Sequence, residues 1–151
     1  MIGIERILLK ISGDLTENQE VLNGIKKEAE NKAKLIDVIY GFGTKLSKSL
    51  NEADIEFSYK NGIRETTEEG LNIALRISEE VKNNLREEFT GYNIKLISPI
   101  KIINGNVENT NADEIFMKLV NKYNKGIVYS LEGRNKDKFK TLKNVEIRYI
   151  K

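Results

Sequence analysis

Apolar positions along the chain follow two alternating periods. Arg6 to Ile11 is a nearly continuous apolar run around one lysine, Lys10, and Leu35 to Tyr40, Ile94 to Ser98, "GIVYSL" and "VEIRYI" have the same short, strand-like character. Between these runs the spacing becomes helical. Glu17 to Lys34 sets Val21, Leu22, Ile25 and Ala29 on one face. Thr67 to Phe89 does so with Leu71, Ala74, Leu75, Ser78, Val81, Leu85 and Phe89, opened by a capping box of Thr66 and Glu69. Asn111 to Tyr123 reads as another helix, and Leu46 with Leu50 predicts one after the Gly41-Phe42-Gly43 turn. Within "IKIINGNVE", Asn104-Gly105 signals a hairpin.

Alternation of strand and helix favours an α/β fold: an open three-layer αβα sandwich with a mostly parallel sheet. In such sheets ligands sit beyond the carboxyl ends of the strands, where this chain places its glycine turns. A length of 151 residues matches one domain, 1–151.

Composition narrows the chemistry. With no cysteine and no histidine, thiol nucleophiles, imidazole bases and the usual zinc sites are excluded. Any chemistry must run on Lys, Arg, Asp, Glu, backbone N–H groups or a bound ion. The net charge of +2 gives little reason to expect a nucleic-acid or membrane partner. No stretch reads as a signal peptide or a bilayer span, so a cytoplasmic protein is expected. The lysine-rich run "GRNKDKFKTLK" reads as a solvated face.

Two turns could cradle an anion, Ser12-Gly13 and Gly41-Phe42-Gly43, because a glycine after a strand lets backbone N–H groups come close and a helix N-terminus adds partial positive charge. Neither is a complete fingerprint: there is no GxxxxGK[ST], and Leu46 stands where a third glycine would fall. Lys10 at a strand's carboxyl end could meet negative charge there, or could snorkel from an edge strand into water.

The order of segments "LLKISGDL", "DVIYGFGTKLSKSL", "IEFSYKNGIRETTEEGLNIAL", "VKNNLREEF" and "GNVENTNADEI" resembles that of the amino acid kinase family, most closely its N-acetylglutamate kinase branch. The resemblance runs from about Ile4 to Leu131 and is most specific at Asn-Gly-Ile-Arg and Asn-Ala-Asp. It implies phosphoryl transfer from ATP with Mg²⁺ to a carboxylate of an acylated amino acid such as N-acetylglutamate. Lys10 would act on the transferring group and Asp113 would orient the site's lysines. Ser12, Gly13, Gly41 and Gly43 would hold phosphate, and Arg64 and Asn109 would hold a small acidic substrate. A homodimer is a reasonable expectation from exposed sheet edges and long helices.

The chain departs from that pattern in three places. Ser12 replaces a glycine, giving "KISGD", which is closer to the uridylate kinase branch; Phe42 replaces the middle glycine of the second turn; and the family's C-terminal nucleotide segment with its second lysine has no counterpart here. Arg134, Lys136 and Lys138 are the cations that could replace that lysine. The alternative implied is a non-catalytic homologue acting as a ligand-binding, regulatory or assembly module.

Overall fold

The structure is a computed structural model that describes residues 3–55, 67–104, 106–109, 112–131, 139 and 142–151; 101–103 and 106–109 are described by their backbone alone. In chain order the elements are β1 (Glu5–Ile11), α1 (Gln19–Ala29), β2 (Lys34–Tyr40), α2 (Thr44–Glu52), α3 (Glu68–Glu88), β3 (Ile94–Ile97), β4 (Lys101–Ile103), β5 (Asn106–Asn109), α4 (Ala112–Leu119), β6 (Lys125–Leu131) and β7 (Val145–Ile150). Five strands form one sheet in the order β3-β2-β1-β6-β7, every neighbouring pair parallel. The expected three-layer α/β sandwich is therefore the observed fold.

β1 lies in the middle of the sheet and is covered on both sides, which is why its sequence is continuously apolar rather than alternating. Ile7, Leu9 and Ile11 join Val21, Leu22 and Ile25 of α1 and Ala74, Ile77, Val81 and Leu85 of α3 in one core. Leu8 faces the other way, with Ile39 and Val128, onto Ile115 and Phe116 of α4. Phe116 meets Phe139 edge-on with ring centroids 5.4 Å apart. Burying one such side chain contributes roughly 1.5–3 kcal/mol, so each face holds its helices firmly.

Several boundaries differ from the sequence expectation. α1 stops at Ala29 because the Asn31 side chain accepts the Ala33 N–H at 2.9 Å, a local turn that competes with further helix and delivers Lys34 to its place opposite Glu5. The cap of α3 is Thr67, whose hydroxyl accepts from the Gly70 N–H at 3.1 Å. Thr66, the expected cap, lies outside the described residues. α4 ends at Leu119 and tightens into a 3-10 turn over Val120–Lys122. Just beyond, Asn124 is tied to the start of β1: its N–H donates to the Arg6 carbonyl, and its side chain accepts from the Arg6 N–H. The expected hairpin is present as the antiparallel pair β4–β5, with Asn104 at φ +53°. Among the described residues, no helix is long and apolar enough to cross a membrane.

Candidate functional site at the carboxyl end of the sheet

Lys10 is the penultimate residue of β1, opposite Ile39 on one side and Val128 on the other, and only 5% exposed. Alternation puts its side chain on the α4 face with Leu8. α4 lies over β1 and β2, and its second residue, Asp113, places Oδ1 2.7 Å from Lys10 Nζ. The carboxylate is also favoured by the positive end of the helix dipole. Ser130, fully buried two residues beyond Val128, shares this face at the same end of the sheet. Asp113, which the resemblance cast as orienting the site's lysines, is in direct contact with Lys10, and Lys10 is a central-strand lysine rather than one on an edge.

The two glycine turns pack against each other. A Cβ on Gly13 would overlap the backbone of Phe42 and Gly43, so glycine is required there by steric contact. Gly43 adopts φ +59° immediately before α2, a conformation natural to glycine. The Ser12 N–H donates to the Tyr129 carbonyl at 3.1 Å and the Gly41 N–H to the Ile11 carbonyl at 3.2 Å, so both backbone donors are committed inside the fold. Among the described residues the N–H groups of Gly13 and Gly43 donate to no protein acceptor. Phe42 does not obstruct the turn, because its ring is buried in the core with Leu15 and Tyr40.

Asp14 was not anticipated as part of this region. Its Oδ1 accepts from both the N–H and the hydroxyl of Thr44, each at 2.9 Å, so an acidic side chain of the protein itself caps the α2 N-terminus. Its signal lies in the sequence: "SGD" in one turn and a Gly-Thr helix start in the other, but nothing in either segment says that the two turns touch. Arg64, Arg134, Lys136 and Lys138 lie outside the described residues, and of Asn109 only the backbone, the last residue of β5, is described. A buried polar chain closes the neighbouring β2 end on the α3 face: the Tyr40 hydroxyl is 3.3 Å from that of Ser78, which is 3.1 Å from that of Ser98, which accepts the Ile100 N–H at 3.1 Å.

The other face carries a different kind of charge cluster. Arg148 donates to the Tyr129 hydroxyl at 2.9 Å, to Glu28 at 3.1 Å and to Glu146 at 3.2 Å, with its guanidinium 5.6 Å from the centre of the Tyr129 ring. Burial alone would raise Glu28, but hydrogen bonds from Lys34 and Arg148 outweigh it and hold the carboxyl below its usual value. Burial likewise disfavours the charged form of Arg148, yet bonds to Glu146 and Tyr129 leave its pKa raised. Near the amino ends of the strands, Tyr123 donates to Asp37; burial, reinforced by that bond, pushes the phenol up to about 12. Among the described residues no group of acidic side chains is arranged to hold a metal ion.

No family model matches the chain, and no curated protein matches it. Solved structures do. The smu.665 protein of Streptococcus mutans UA159 superposes with a TM-score of 0.65 at 16% identity, over 82% of this chain and 71% of that one. N-acetylglutamate synthase of Neisseria gonorrhoeae complexed with coenzyme A and L-arginine gives 0.66 at 12% identity, over 86% and 44% of the two chains. The same synthase with coenzyme A and N-acetyl-glutamate gives 0.65 at 14% identity, over 86% and 42%. The chain therefore spans less than half the length of the synthase, and at these identities the likeness shows the fold. These findings correct the kinase expectation. The enzyme named among these neighbours is a synthase carrying coenzyme A, not a kinase carrying ATP with Mg²⁺. These findings overturn the amino acid kinase assignment, its phosphoryl transfer and its nucleotide cofactor, and they give no clear support to the binding, regulatory or assembly alternative. What this chain shares with the solved structures is the α/β fold.

Proposed function

We propose that this end of the sheet binds a small carboxylate-bearing ligand of the N-acetylglutamate type, with Lys10 as the cation that meets it. The observation that carries the reading is the Lys10–Asp113 pair, at 2.7 Å and nearly dry, on the central strand where parallel sheets receive ligands. An ammonium has three donors and one carboxylate stands beside this one, so Lys10 keeps donor capacity for an incoming carboxylate while its ion pair with Asp113 fixes its position. Arg64, predicted to pair with the ligand's carboxylate, supplies a second cation in this reading. The synthase's complex with N-acetyl-glutamate supports the ligand class. Its coenzyme A supports a second reading, in which the same region receives a thiol cofactor.

Calorimetric titration with N-acetylglutamate, and separately with coenzyme A, distinguishes the two. A charge-assisted hydrogen bond contributes about 1.5–3 kcal/mol, so Lys10→Met should weaken N-acetylglutamate binding by about 10- to 100-fold, while Lys10→Arg retains part of it. Circular dichroism on both variants verifies that the fold survives. Binding of coenzyme A alone would replace the carboxylate reading with the cofactor one. No binding of either at about 10 mM, a free energy below about 3 kcal/mol, would sink both.

A further inference from the structure

Among the described residues the sheet ends in two edges that are finished differently. β7 carries charges that close on one another: Glu146 pairs with Lys125 and Arg148, each at 3.2 Å, and Arg148 also pairs with Glu28. β3, at the opposite edge, is bordered by a groove of 480 Å³ between the strand and the last turns of α3, lined by Lys82, Arg86, Phe89, Tyr92, Lys95 and Leu96 among others. Among the described residues none of Lys82, Arg86 and Lys95 takes part in an ion pair. Arg86 and Lys95 are exposed and Lys82 is half-buried. Phe89 forms the apolar floor, and Ile94 and Leu96 are half-buried beside it.

We infer that this groove receives an extended acidic segment of another protein, which adds as a sixth strand on β3 and sets its carboxylates against Lys82, Arg86 and Lys95. An edge strand presents a row of backbone N–H and C=O groups that an added strand satisfies, and side chains flanking the edge select the partner. Four residues of β3 at about 3.3 Å each fit a segment of about four to six residues. Three cations around one groove, Lys95 on β3 and Lys82 and Arg86 on α3, select acidic side chains. They also disfavour a second copy of this chain, since two-fold pairing of the edge would bring the same cations together.

The test uses the full chain and two synthetic peptides, acetyl-EVEVEV-amide and acetyl-KVKVKV-amide, followed by backbone amide shifts. The acidic peptide should bind at least tenfold more tightly, move the amides of Ile94 to Ile97, and lose affinity as salt rises. The triple reversal Lys82→Glu, Arg86→Glu, Lys95→Glu, confirmed folded by circular dichroism, should invert the preference. Equal binding of both peptides, shifts confined to other strands, or no binding would overturn the inference. So would protection of the same amides that grows with protein concentration, which would assign the edge to self-association.

Discussion

Arg148 and Lys10 stand on opposite faces of the sheet, and the two cations are held in different ways. Arg148, on the α1 face, is half-exposed and shared among Tyr129, Glu28 and Glu146. Lys10, on the α4 face, is nearly dry and among the described residues is held by Asp113 alone. Surface networks of the first kind contribute a little each and tolerate loss of a member. A buried pair recovers its desolvation cost poorly and is strongly destabilising when broken, so its presence is weak evidence of a stabilising role. The difference separates a cluster that holds β7 to α1 from a pair whose position at the strand ends suits a ligand.

The glycines beside the two cations should break the comparison most severely. Gly13→Ala would drive a methyl into the Phe42–Gly43 backbone, which has no flexible end to yield, and should cost about 4 kcal/mol or prevent folding. Gly24→Ala, in α1 beside Arg148, meets only the Tyr129 hydroxyl at 2.8 Å. There a gain of about 1 kcal/mol in helix propensity offsets much of the crowding. Denaturant melts of the two variants should differ by about 3–4 kcal/mol in unfolding free energy; equal midpoints would show that the turns do not depend on their close approach.

Next in size is the pair itself. Lys10→Met takes the buried ammonium away from the Asp113 carboxylate and should cost about 3 kcal/mol, whereas Lys10→Met with Asp113→Leu should recover much of that loss, because it removes the buried charge as well. Arg148→Ala should cost about 1 kcal/mol, as its partners remain partly hydrated. A double variant no more stable than Lys10→Met would show that the pair is structural and remove the contrast between the faces.

Much of this architecture was legible in the sequence, for a physical reason: a strand buried on both faces must be apolar throughout, and a helix on one face must repeat near 3.6. Hence β1, β2, β6 and the α3 stripe from Leu71 to Phe89 could be read directly. Lys10 stood out because it broke such a run, and its place at the strand end could be foreseen. Its contact with Asp113, more than one hundred residues later, depends on α4 packing across β1, which no local period encodes. The mutual closure of Gly13 on Gly43 and the Asp14 cap on Thr44 were hidden for the same reason. The glycine turns resembled a phosphate cradle in sequence, while in space Asp14 already occupies the α2 N-terminus.

The smallest expected effect is the pH response, and it belongs to the Arg148 face. Glu28 and Glu146 are both held below the ordinary carboxylate value, against the cost of burial in Glu28 and chiefly by the Arg148 hydrogen bond in Glu146. A depressed carboxyl pKa means that the unfolded chain binds protons first. The stability these groups contribute is therefore complete above the ordinary glutamate value of 4.5 and is lost as pH falls through their lower folded values. Tyr123 works in the opposite direction: with its phenol raised from 10.0 to about 12, its contribution is complete below 10.0 and lost as pH rises toward 12. Thermal melts between pH 7 and pH 3 should fall in wild type and fall less in Arg148→Ala, which has already lost the donor that depresses both carboxyls. An unchanged acid slope in that variant would mean that Arg148 does not couple Glu28 to Glu146, and the α1 face would then hold its charges one pair at a time, as the α4 face does.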